Sequence, residues 1–498
     1  MKSPLKIMFL GTGSDVGKSV CATAFCRILK RRGYAVAPFK AQNMSNNSFV
    51  TVEGGEIGRA QAVQAEAAGL LPSVRMNPVL LKPAANGCQI VLNGQVLDTA
   101  GADAYKDLRE KLLAHVMAAY KSLESEYDAI VIEGAGSCCE VNLRANDIVN
   151  FELGLRAQAP VVLVSDIDRG GVFAQIVGAM ELISQPERDL VAGFLINKFR
   201  GSIEMFADGP AFIEQRTGKP VFGVVPHYSG ITIDMEDSMS LENAGRNRAP
   251  MPGRINIAVV QLPLVSNFTD LEILENEPSV NVCWMVHPLN LSAFDAVIIP
   301  GSKSTLHDAQ WMRRQGWARA LDEYTAQGRG LVLGLCGGYQ ILGNVLRDDH
   351  GRESTLRQAP GLGLLDVETD IDEIKVVRVS HGRDHVFDTW VHGYEIHMGR
   401  TMAGQGAGPF LELDSGPDGA VNQARTVFGT YLHGLLDSKA FRQAFLSRLA
   451  TIANVPYLSP SSEVDSPFRD AQYEALADHF EKYVDVDALI KRAEMQSR

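Results

Sequence analysis

The chain has 498 residues, which at about 150 residues per domain predicts two large domains or three smaller ones. Hydrophobic residues make up 46% and charged residues 21%, a balance that is typical of globular proteins and argues against a largely disordered chain. With 47 Lys and Arg against 59 Asp and Glu, the net charge is −12, which argues against a nucleic-acid coat but leaves room for a local basic site for phosphates.

The cysteines and apolar runs indicate the cellular setting. Seven cysteines, an odd number, are scattered without metal-ligand spacing, which excludes a disulfide scaffold and suits a reducing cytosol. No apolar run approaches the roughly 20 residues that cross a bilayer, and the run that ends at Gly11 is too short for a signal-peptide core. We therefore expect a cytoplasmic protein that binds neither nucleic acid nor membrane.

The first half of the chain alternates apolar segments with segments of helical spacing. Continuous Val- and Ile-rich strands that alternate with helices indicate a parallel sheet covered on both faces. The predicted strands are Lys6–Leu10, Ala35–Phe39, Ala129–Ile132, Val161–Ser165, Val191–Ile196 and Val221–Val225. The predicted helices are Lys18–Arg32, Asp103–Ser125 and Phe173–Ile183.

The pattern stops and restarts near the middle. Gly, Asn, Arg and Pro dominate Leu241–Gly253, which we interpret as a linker. Strands are then predicted at Ile255–Val260, Ala296–Ile299, Leu331–Leu335 and Val427–Thr430, with a helix at Ser304–Ala326. The predicted fold class is α/β, with two doubly wound, mostly parallel-sheet domains and a helical C-terminal tail. The expected bounds are 1–240, 254–449 and 450–498, and the tail helices are Ala471–Tyr483 and Val486–Gln496.

A glycine-rich loop joins the first strand to the first helix. Its residues are Gly11, Thr12, Gly13, Ser14, Asp15, Val16, Gly17, Lys18 and Ser19. Such a loop lets backbone N–H groups converge on an anion at a helix N-terminus, which predicts a nucleotide phosphate site. Lys18 would neutralise the β- and γ-phosphates, and Ser19 would hold Mg²⁺. The alternative is a glycine-rich turn with a solvated lysine, because the loop has five residues, not the usual four, between Gly11 and the Gly-Lys pair.

The longer loop resembles that of dethiobiotin synthetase and its relatives, which use ATP to phosphorylate a carboxylate. The resemblance implies that Glu133, directly after the strand Ala129–Ile132, binds Mg²⁺. It also implies that Asn197, after the strand Val191–Ile196, reads adenine. Taken alone, Glu133 is equally consistent with a solvated or capping carboxylate.

A second site is predicted at Cys336, which stands between the strand Leu331–Leu335 and the helical segment Tyr339–Val345. Glycines two residues on either side make it the cysteine counterpart of a nucleophile elbow. The small flanking residues permit the tight turn that exposes the sulfur, and the N–H of Gly337 can serve an oxyanion hole. The alternative is a buried structural cysteine.

A cysteine nucleophile needs a base, and His433 follows the predicted strand Val427–Thr430. A lone histidine after a strand is more often structural, and the pairing with Cys336 is what favours a base. Gly301 and Ser302, in a loop after the strand Ala296–Ile299, are candidates for a further oxyanion N–H.

These segments resemble a class I glutamine amidotransferase over about Ile255–Leu449. The resemblance implies that Cys336 takes the γ-acyl group of glutamine and releases ammonia. Glutamine and oxyanion binding are assigned to Gly301, Ser302, Gly337 and Gln340. Many members carry Glu two residues after the histidine, where this chain has Leu435. A dyad or a replacement carboxylate elsewhere is therefore implied, and the missing Glu is a feature of the subfamily that handles cobyrinic and cobyric acids.

Five polar segments extend the resemblance to essentially the whole chain. They are Phe39–Ser48, Met76–Pro83, Gly136–Leu143, Asp166–Phe173 and Asn197–Gly201, and they resemble signature segments of the cobyric acid synthase family. That family amidates the b, d, e and g carboxylates of adenosylcobyrinic acid a,c-diamide through ATP and glutamine. The resemblance implies a corrinoid, ATP and glutamine as substrates, Mg²⁺ as cofactor and no tightly bound prosthetic group. The segment Gly393–Gly399 also resembles the subfamily, with Glu395 and His397 expected to order the site.

Polar residues in these segments are candidates for substrate binding. Lys40, Asn43, Lys82 and Arg169 offer positive charge or hydrogen-bond donors to carboxylates and phosphates. Asp166 and Asp168 are further candidates for Mg²⁺ or substrate, with a cap at a helix start as the alternative.

Two other functions remain open from the sequence. Cobyrinic acid a,c-diamide synthase has the same two chemistries, and the segments AQNMSNNS and DIDRGGVF favour cobyric acid synthase over it. A non-enzymatic P-loop switch with a degenerate regulatory domain is the other alternative, against which the Cys336 elbow argues.

Overall fold

The strand Leu5–Gly11 lies inside a six-stranded parallel sheet and pairs with Ala129–Glu133 on one side and Val161–Asp166 on the other. The structure is a computed structural model that describes residues 4–84, 87–100, 102–228, 230–231, 249–328, 330–457 and 465–496. In spatial order the strands are Val221–Pro226, Val191–Phe199, Val161–Asp166, Leu5–Gly11, Ala129–Glu133 and Val36–Phe39. Their nearly continuous burial explains the unbroken apolar runs in the sequence.

Helices cover both faces of this first sheet. They are Lys18–Arg31, Arg59–Ala68, Ala102–Glu126, Phe151–Ala157, Val172–Leu182, Gln185–Leu190 and Asp208–Thr217, with single turns at Val74–Met76, Arg144–Asn146 and Ile203–Phe206. A small sheet adds Gln42–Met44, Val79–Ala84, Gly87–Leu92 and Gln95–Ala100, and a hairpin adds Ser48–Val50 and Glu56–Gly58. The sequence analysis did not predict these six short strands.

The second half contains a twelve-stranded sheet with a parallel core. The core strands, in spatial order, are Val280–Met285, Ile255–Val260, Ala296–Ile299, Leu331–Leu335 and Val427–Thr430. The sheet continues, largely antiparallel, through Gly416–Asn422, Ala407–Leu413, Val367–Asp384, Trp390–Ala403, Val345–Arg347, Gln358–Pro360 and Leu432–His433. The α/β fold class with its parallel sheets is confirmed, and the antiparallel extension is an addition to it.

Short elements complete the second half. Its helices are Glu272–Glu275, Thr305–Arg314, Trp317–Ala326, Gly337–Leu342 and Lys439–Ala453, with single turns at Phe268–Leu271, Leu291–Ala293 and Leu435–Asp437. The strand pair Val265–Ser266 and Gly301–Ser302 lies outside the large sheet.

Two predicted helix bounds in this half are wrong. The single helix expected over Ser304–Ala326 is two helices, because Gly316 adopts a left-handed conformation with φ of +86° between them. The helix after Cys336 ends at Leu342, and Val345 already begins a strand. The helix Lys439–Ala453 runs through the boundary expected at residue 449. Residues 241–248 of the expected linker lie outside the described residues, so the division there stays a prediction.

The C-terminal helices Asp465–Tyr483 and Val486–Gln496 return to the first half of the chain. Tyr473 and Phe480 belong to the same buried cluster as Phe9 and Phe25. Arg27, on the first helix, is buried and pairs with Asp470 and Glu474. The tail therefore completes the core of the N-terminal half. In the described part of the chain, no helix has the length and apolarity that a membrane span requires.

Candidate active site

The phosphate loop is held in a tight curl by Asn197. Gly17 has φ of +95°, and a Cβ atom there would stand 2.1 Å from Nδ2 of Asn197. This amide nitrogen donates to the carbonyl oxygen of Val16 at 2.9 Å. A Cβ atom on Gly11 would stand 2.7 Å from the carbonyl oxygen of Gly13. The two glycines are therefore required by space, and Asn197 contacts the loop itself.

Glu133 is the centre of a buried polar cluster next to this loop. Ser19 Oγ donates to its Oε1 at 2.7 Å, Lys40 Nζ lies 2.9 Å from the same oxygen, and Gln64 Nε2 donates to Oε2 at 2.5 Å. The carboxylate is fully buried, so these donors replace the hydration that it loses. This arrangement rules out the solvated carboxylate that the sequence left open.

The same cluster suits a magnesium ion. Mg²⁺ in nucleotide sites binds hydroxyl and carboxylate oxygens and keeps several waters. Ser19 and Glu133 offer one of each, already in contact. Gln64 Oε1 is buried and has no hydrogen-bond partner among the described residues, so it is available to a water or an incoming group. The residues present therefore fit the ion that the loop predicts.

Lys18 points across the loop. Its Nζ donates to the carbonyl oxygen of Gly136 at 2.9 Å and lies 3.5 Å from that of Gly13. Carbonyl oxygens hold the ammonium group over the curl of the loop, where a phosphate would lie.

Charged residues surround the mouth of the loop. Asp15 pairs with Arg169 at 3.0 Å and with Lys198 at 3.2 Å, and Lys198 also pairs with Asp166. Asp168 pairs with Arg200. The next helix begins at Val172 with Gly171 as its N-cap, so the alternative of a helix cap at Asp168 is wrong.

The predicted substrate residues fall into two groups. Lys40 contacts Glu133, and Asn43 donates to Gln61, which stands one helical turn before Gln64. Arg169 lies beside the phosphate loop. Lys82 is instead part of the wall of the cavity next to Cys336.

Cys336 stands at a strained bend. Its φ of +50° and ψ of −106° lie in a region that non-glycine residues rarely adopt. A Cβ atom on Gly338 would stand 2.0 Å from the carbonyl oxygen of Ile299, and one on Gly334 would stand 2.7 Å from that of Gly338. The bend therefore requires both glycines, as the elbow pattern predicted.

His433 lies between Cys336 and a carboxylate that the sequence analysis missed. Its Nδ1 is 2.6 Å from Oδ2 of Asp270, whose Oδ1 accepts a hydrogen bond from the backbone N–H of Gly434 at 3.0 Å. Burial alone lowers the pKa of His433, but the charges and hydrogen bonds of Asp270 and Cys336 raise it to about 10. The charged imidazole of His433 thus lies between the carboxylate of Asp270 and the sulfur of Cys336.

Asp270 is therefore the replacement carboxylate that the sequence left open. It lies in the single turn Phe268–Leu271, directly after Asn267, which has φ of +48°. In the sequence, the local signal for Asp270 is an acidic residue among apolar neighbours. This pattern does not predict a contact with His433.

The predicted oxyanion residues also meet at the elbow. A Cβ atom on Gly337 would stand 2.7 Å from the backbone nitrogen of Ser302, and one on Gly301 would stand 3.4 Å from Cε1 of His433. Gln340 donates to the hydroxyl of Tyr431 at 3.2 Å, while its Oε1 is buried without a hydrogen-bond partner among the described residues. Ser302, Gly337 and Gln340 line one open cavity together with Cys336 and His433.

His397 lines this cavity, and Glu395 lies two residues before it on the same strand. Glu395 accepts hydrogen bonds from Arg378 at 2.7 and 2.9 Å and from Ser380 at 2.6 Å. His397 stacks on Tyr431, with ring centroids 3.7 Å apart. Both residues lie on the antiparallel strand Trp390–Ala403, and the ordering role expected of them stays a prediction.

The two halves of the chain meet directly beside the Cys336 cavity. Asn267 and Ser48 exchange two hydrogen bonds, at 3.2 and 3.3 Å. Thr269 donates to Asn47 at 3.0 Å, and Phe49 contacts Tyr394 edge to face. The turn that carries Asp270 is therefore bonded to the segment that follows Asn43.

Sequence families divide the chain in the same way. Residues 7–241 match the CobQ/CobB/MinD/ParA nucleotide binding domain, and residues 256–441 match the CobB/CobQ-like glutamine amidotransferase domain.

Similar proteins span nearly the whole chain. A cobyric acid synthase of Syntrophobacter fumaroxidans is 45% identical over 96% of this chain and 97% of that protein. One from Chlorobium phaeobacteroides is 45% identical over 94% and 95%, and one from Geobacillus kaustophilus is 42% identical over 98% and 97%. Among solved structures, PurLQS from Thermotoga maritima aligns with a TM-score of 0.31 and 18% identity over 39% of this chain and 99% of that chain.

Proposed function

Because this chain belongs to the cobyric acid synthase family, and is thus a glutamine-dependent ligase, we propose that it amidates the b, d, e and g carboxylates of adenosylcobyrinic acid a,c-diamide. Each amidation consumes one ATP and one glutamine. The observation that carries the proposal is the presence, in one chain, of the Cys336–His433–Asp270 arrangement and of the Lys18–Ser19–Glu133 cluster.

The first step takes place at the phosphate loop. A substrate carboxylate oxygen attacks the γ-phosphorus of ATP, the bond to the β–γ bridging oxygen breaks, and an acyl phosphate and ADP form. Lys18 and the loop N–H groups hold the phosphates and stabilise the charge that develops on them. Ser19 and Glu133 would hold Mg²⁺, which supplies further charge neutralisation to the phosphates.

Ammonia is released at Cys336. The thiolate attacks the γ-carbonyl carbon of glutamine, and N–H groups of Gly337 and Ser302 stabilise the oxyanion. His433 gives its proton to the leaving nitrogen, so that ammonia departs and a thioester remains. Water, activated by the now neutral His433, hydrolyses the thioester to glutamate. Asp270 holds the imidazole in the orientation that these proton transfers need.

Amide formation joins the two sites. Ammonia attacks the acyl carbon, phosphate leaves, and the nitrogen loses a proton. Free ammonia is mostly protonated near neutral pH and would be diluted in solution, so a source within the same chain keeps the nucleophile concentrated. The hydrogen bonds from Asn267 and Thr269 to Ser48 and Asn47 hold the two halves in the required proximity.

The test is to offer the purified protein each of two corrinoids, cobyrinic acid and adenosylcobyrinic acid a,c-diamide, with ATP and glutamine, and to count the amides by mass. Four added amides on the a,c-diamide support the proposal. Two added amides on cobyrinic acid and none on its a,c-diamide would identify a cobyrinic acid a,c-diamide synthase instead. Equal background glutaminase activity in wild type and Cys336→Ala would favour the P-loop switch.

A further inference from the structure

Five buried charged side chains form one wall of the Cys336 cavity or support it. Lys82, Lys303 and Lys375 line the cavity and are 4%, 7% and 8% exposed at their side chains. Glu56 is fully buried and binds Lys82 and Lys375 together, while Glu353 pairs with Lys303 at 3.1 Å. Three ammonium groups thus face two carboxylates. This wall carries one positive charge more than its own acids balance, which is costly in a buried setting.

The lysines also keep unused hydrogen-bond donors. An ammonium group has three N–H donors. Lys82 uses two, to Glu56 and Ser48, and Lys375 uses two, to Glu56 and Gln89. Among the described residues this leaves one N–H on each, in a cavity wall that both share.

The electrostatics of these five residues favour the binding of an anion. Burial lowers the pKa of Lys375 to about 8, with Glu56 raising it and the neighbouring cations Lys82 and Lys303 lowering it further. Although burial alone raises it, the two ammonium groups hold the pKa of Glu56 well below its ordinary value. The carboxylate of Glu56, which the two lysines share, thus stays ionised, but its single negative charge does not balance both of them. A second carboxylate in the cavity would balance the remaining positive charge.

Glutamine itself carries such a group. With its γ-amide at the Cys336 sulfur, its α-carboxylate would lie at the other end of a short chain, and Lys82 and Lys375 line the same cavity as Cys336. We propose that Lys82 and Lys375 together bind the α-carboxylate of glutamine, so that each half of the chain supplies one cation to the glutamine site. This inference rests on the proposed glutaminase activity at Cys336 and assigns Lys82 to glutamine instead of the corrinoid.

Lys82 belongs to the N-terminal half of the chain. It lies on the strand Val79–Ala84, which pairs with Gln42–Met44, the strand that carries Asn43. Glutamine therefore binds fully only when the N-terminal half is docked against the C-terminal half.

The experiment compares L-glutamine with its α-amide, in which a neutral carboxamide replaces the α-carboxylate. Hydrolysis of the γ-amide gives glutamate or glutamate α-amide, which mass spectrometry distinguishes. We expect the wild-type kcat/KM to be at least 100-fold higher for glutamine than for the α-amide. In Lys82→Gln and Lys375→Gln, we expect this ratio to fall at least tenfold, mainly through a higher KM for glutamine. Arginine at either position, which keeps the charge, should restore part of the ratio.

A matched control is Lys6→Gln, since Lys6 is also buried and pairs with a carboxylate, Glu124, at 2.6 Å. It should leave the ratio unchanged. If Lys82 or Lys375 has only a structural role, its variants should show the same reduction in kcat/KM for both substrates. The ratio would then be unchanged, and this result would overturn the inference. A wild-type enzyme that does not discriminate between the two substrates would overturn it even if the variants fail to fold. A wild-type enzyme that hydrolyses neither substrate would overturn the proposed function instead.

Discussion

Oδ2 of Asp270 lies 2.6 Å from Nδ1 of His433, although 163 residues separate the two in the chain. Leu435 occupies the position where many class I amidotransferases place a glutamate, and it is buried in the core. The carboxylate is thus supplied from a turn that precedes Cys336 in sequence. That turn also touches the N-terminal half through Asn267 and Thr269.

We expect Asp270→Asn to reduce glutamine hydrolysis on the order of 10³-fold, because the imidazole loses both the charge and the acceptor that orient it. Steady-state glutaminase assays at pH 7 measure the effect. Ammonium-supported amidation serves as the internal control and should fall far less. A variant with near wild-type glutaminase activity would show that Asp270 does not orient His433.

Cys336→Ala should abolish glutamine-dependent amidation and leave amidation with high ammonium, because the alanine removes the nucleophile but not the phosphate site. Product amides are counted by mass with each nitrogen source. Loss of both activities in a folded variant would contradict the separation of the two sites.

Lys18→Ala should abolish amidation with either nitrogen source, since no acyl phosphate forms without the charge that holds the phosphates. Glu133→Gln should act in the same direction, because Ser19 and Lys40 lose their charged partner. Glutamine hydrolysis at Cys336 is measured in parallel to show that the variants are folded. A wild-type rate of amide formation in Lys18→Ala would refute the assignment of the phosphate loop.

The contribution of His433 to stability should depend on pH. Its pKa is raised from the model-peptide value of 6.5 to about 10, as burial opposes and Asp270 and Cys336 favour the charged ring. A raised pKa stabilises the folded state fully below pH 6.5, and that stabilisation is lost as the pH rises towards 10. Urea unfolding of wild type and His433→Gln should show a larger difference in unfolding free energy at pH 7 than at pH 10. An equal or larger difference in unfolding free energy at pH 10 would contradict the ion pair between His433 and Asp270.

The C-terminal helices should contribute directly to the stability of the N-terminal half. Phe480 is buried in the cluster with Phe9 and Phe25, so Phe480→Ala should cost about 3–5 kcal/mol of unfolding free energy. Asp487→Asn is the control. The side chain of Asp487, which pairs with Arg32, is 86% exposed, so this substitution should change the free energy of unfolding by less than about 0.5 kcal/mol. Equal effects of the two changes would show that the tail is not part of this core.

Sequence reasoning predicted the elements whose burial is continuous. The strands Leu5–Gly11, Leu331–Leu335 and Val427–Thr430 are buried along their whole length. Nearly all of their residues are apolar, and this signal can be read without any knowledge of the neighbouring strands. The sequence analysis missed the strand Val367–Asp384 because charged and exposed residues interrupt its apolar pattern. This strand is stabilised by its antiparallel pairing with Trp390–Ala403.

In the candidate sites, too, local signals could be predicted and contacts between distant segments could not. The phosphate loop and the cysteine elbow depend on glycines close in sequence, so local spacing was enough to find them. Asp270 contacts His433, and Lys82 lines the Cys336 cavity, only because distant segments fold together there. No spacing rule connects them to that residue, and the assignment of Lys82 to substrate binding stays a prediction. The roles given to Cys336 and His433 stay predictions, which the variants above test.

The return of the last helices to the first sheet sets an order for folding during synthesis. Phe9, Phe25, Tyr473 and Phe480 share one core, so one face of the earliest strands stays uncovered while nearly the entire polypeptide emerges from the ribosome. The N-terminal half reaches its final form only after the C-terminal half has been made. A message truncated before the final helices would therefore yield a product that exposes apolar surface in the half that was translated first.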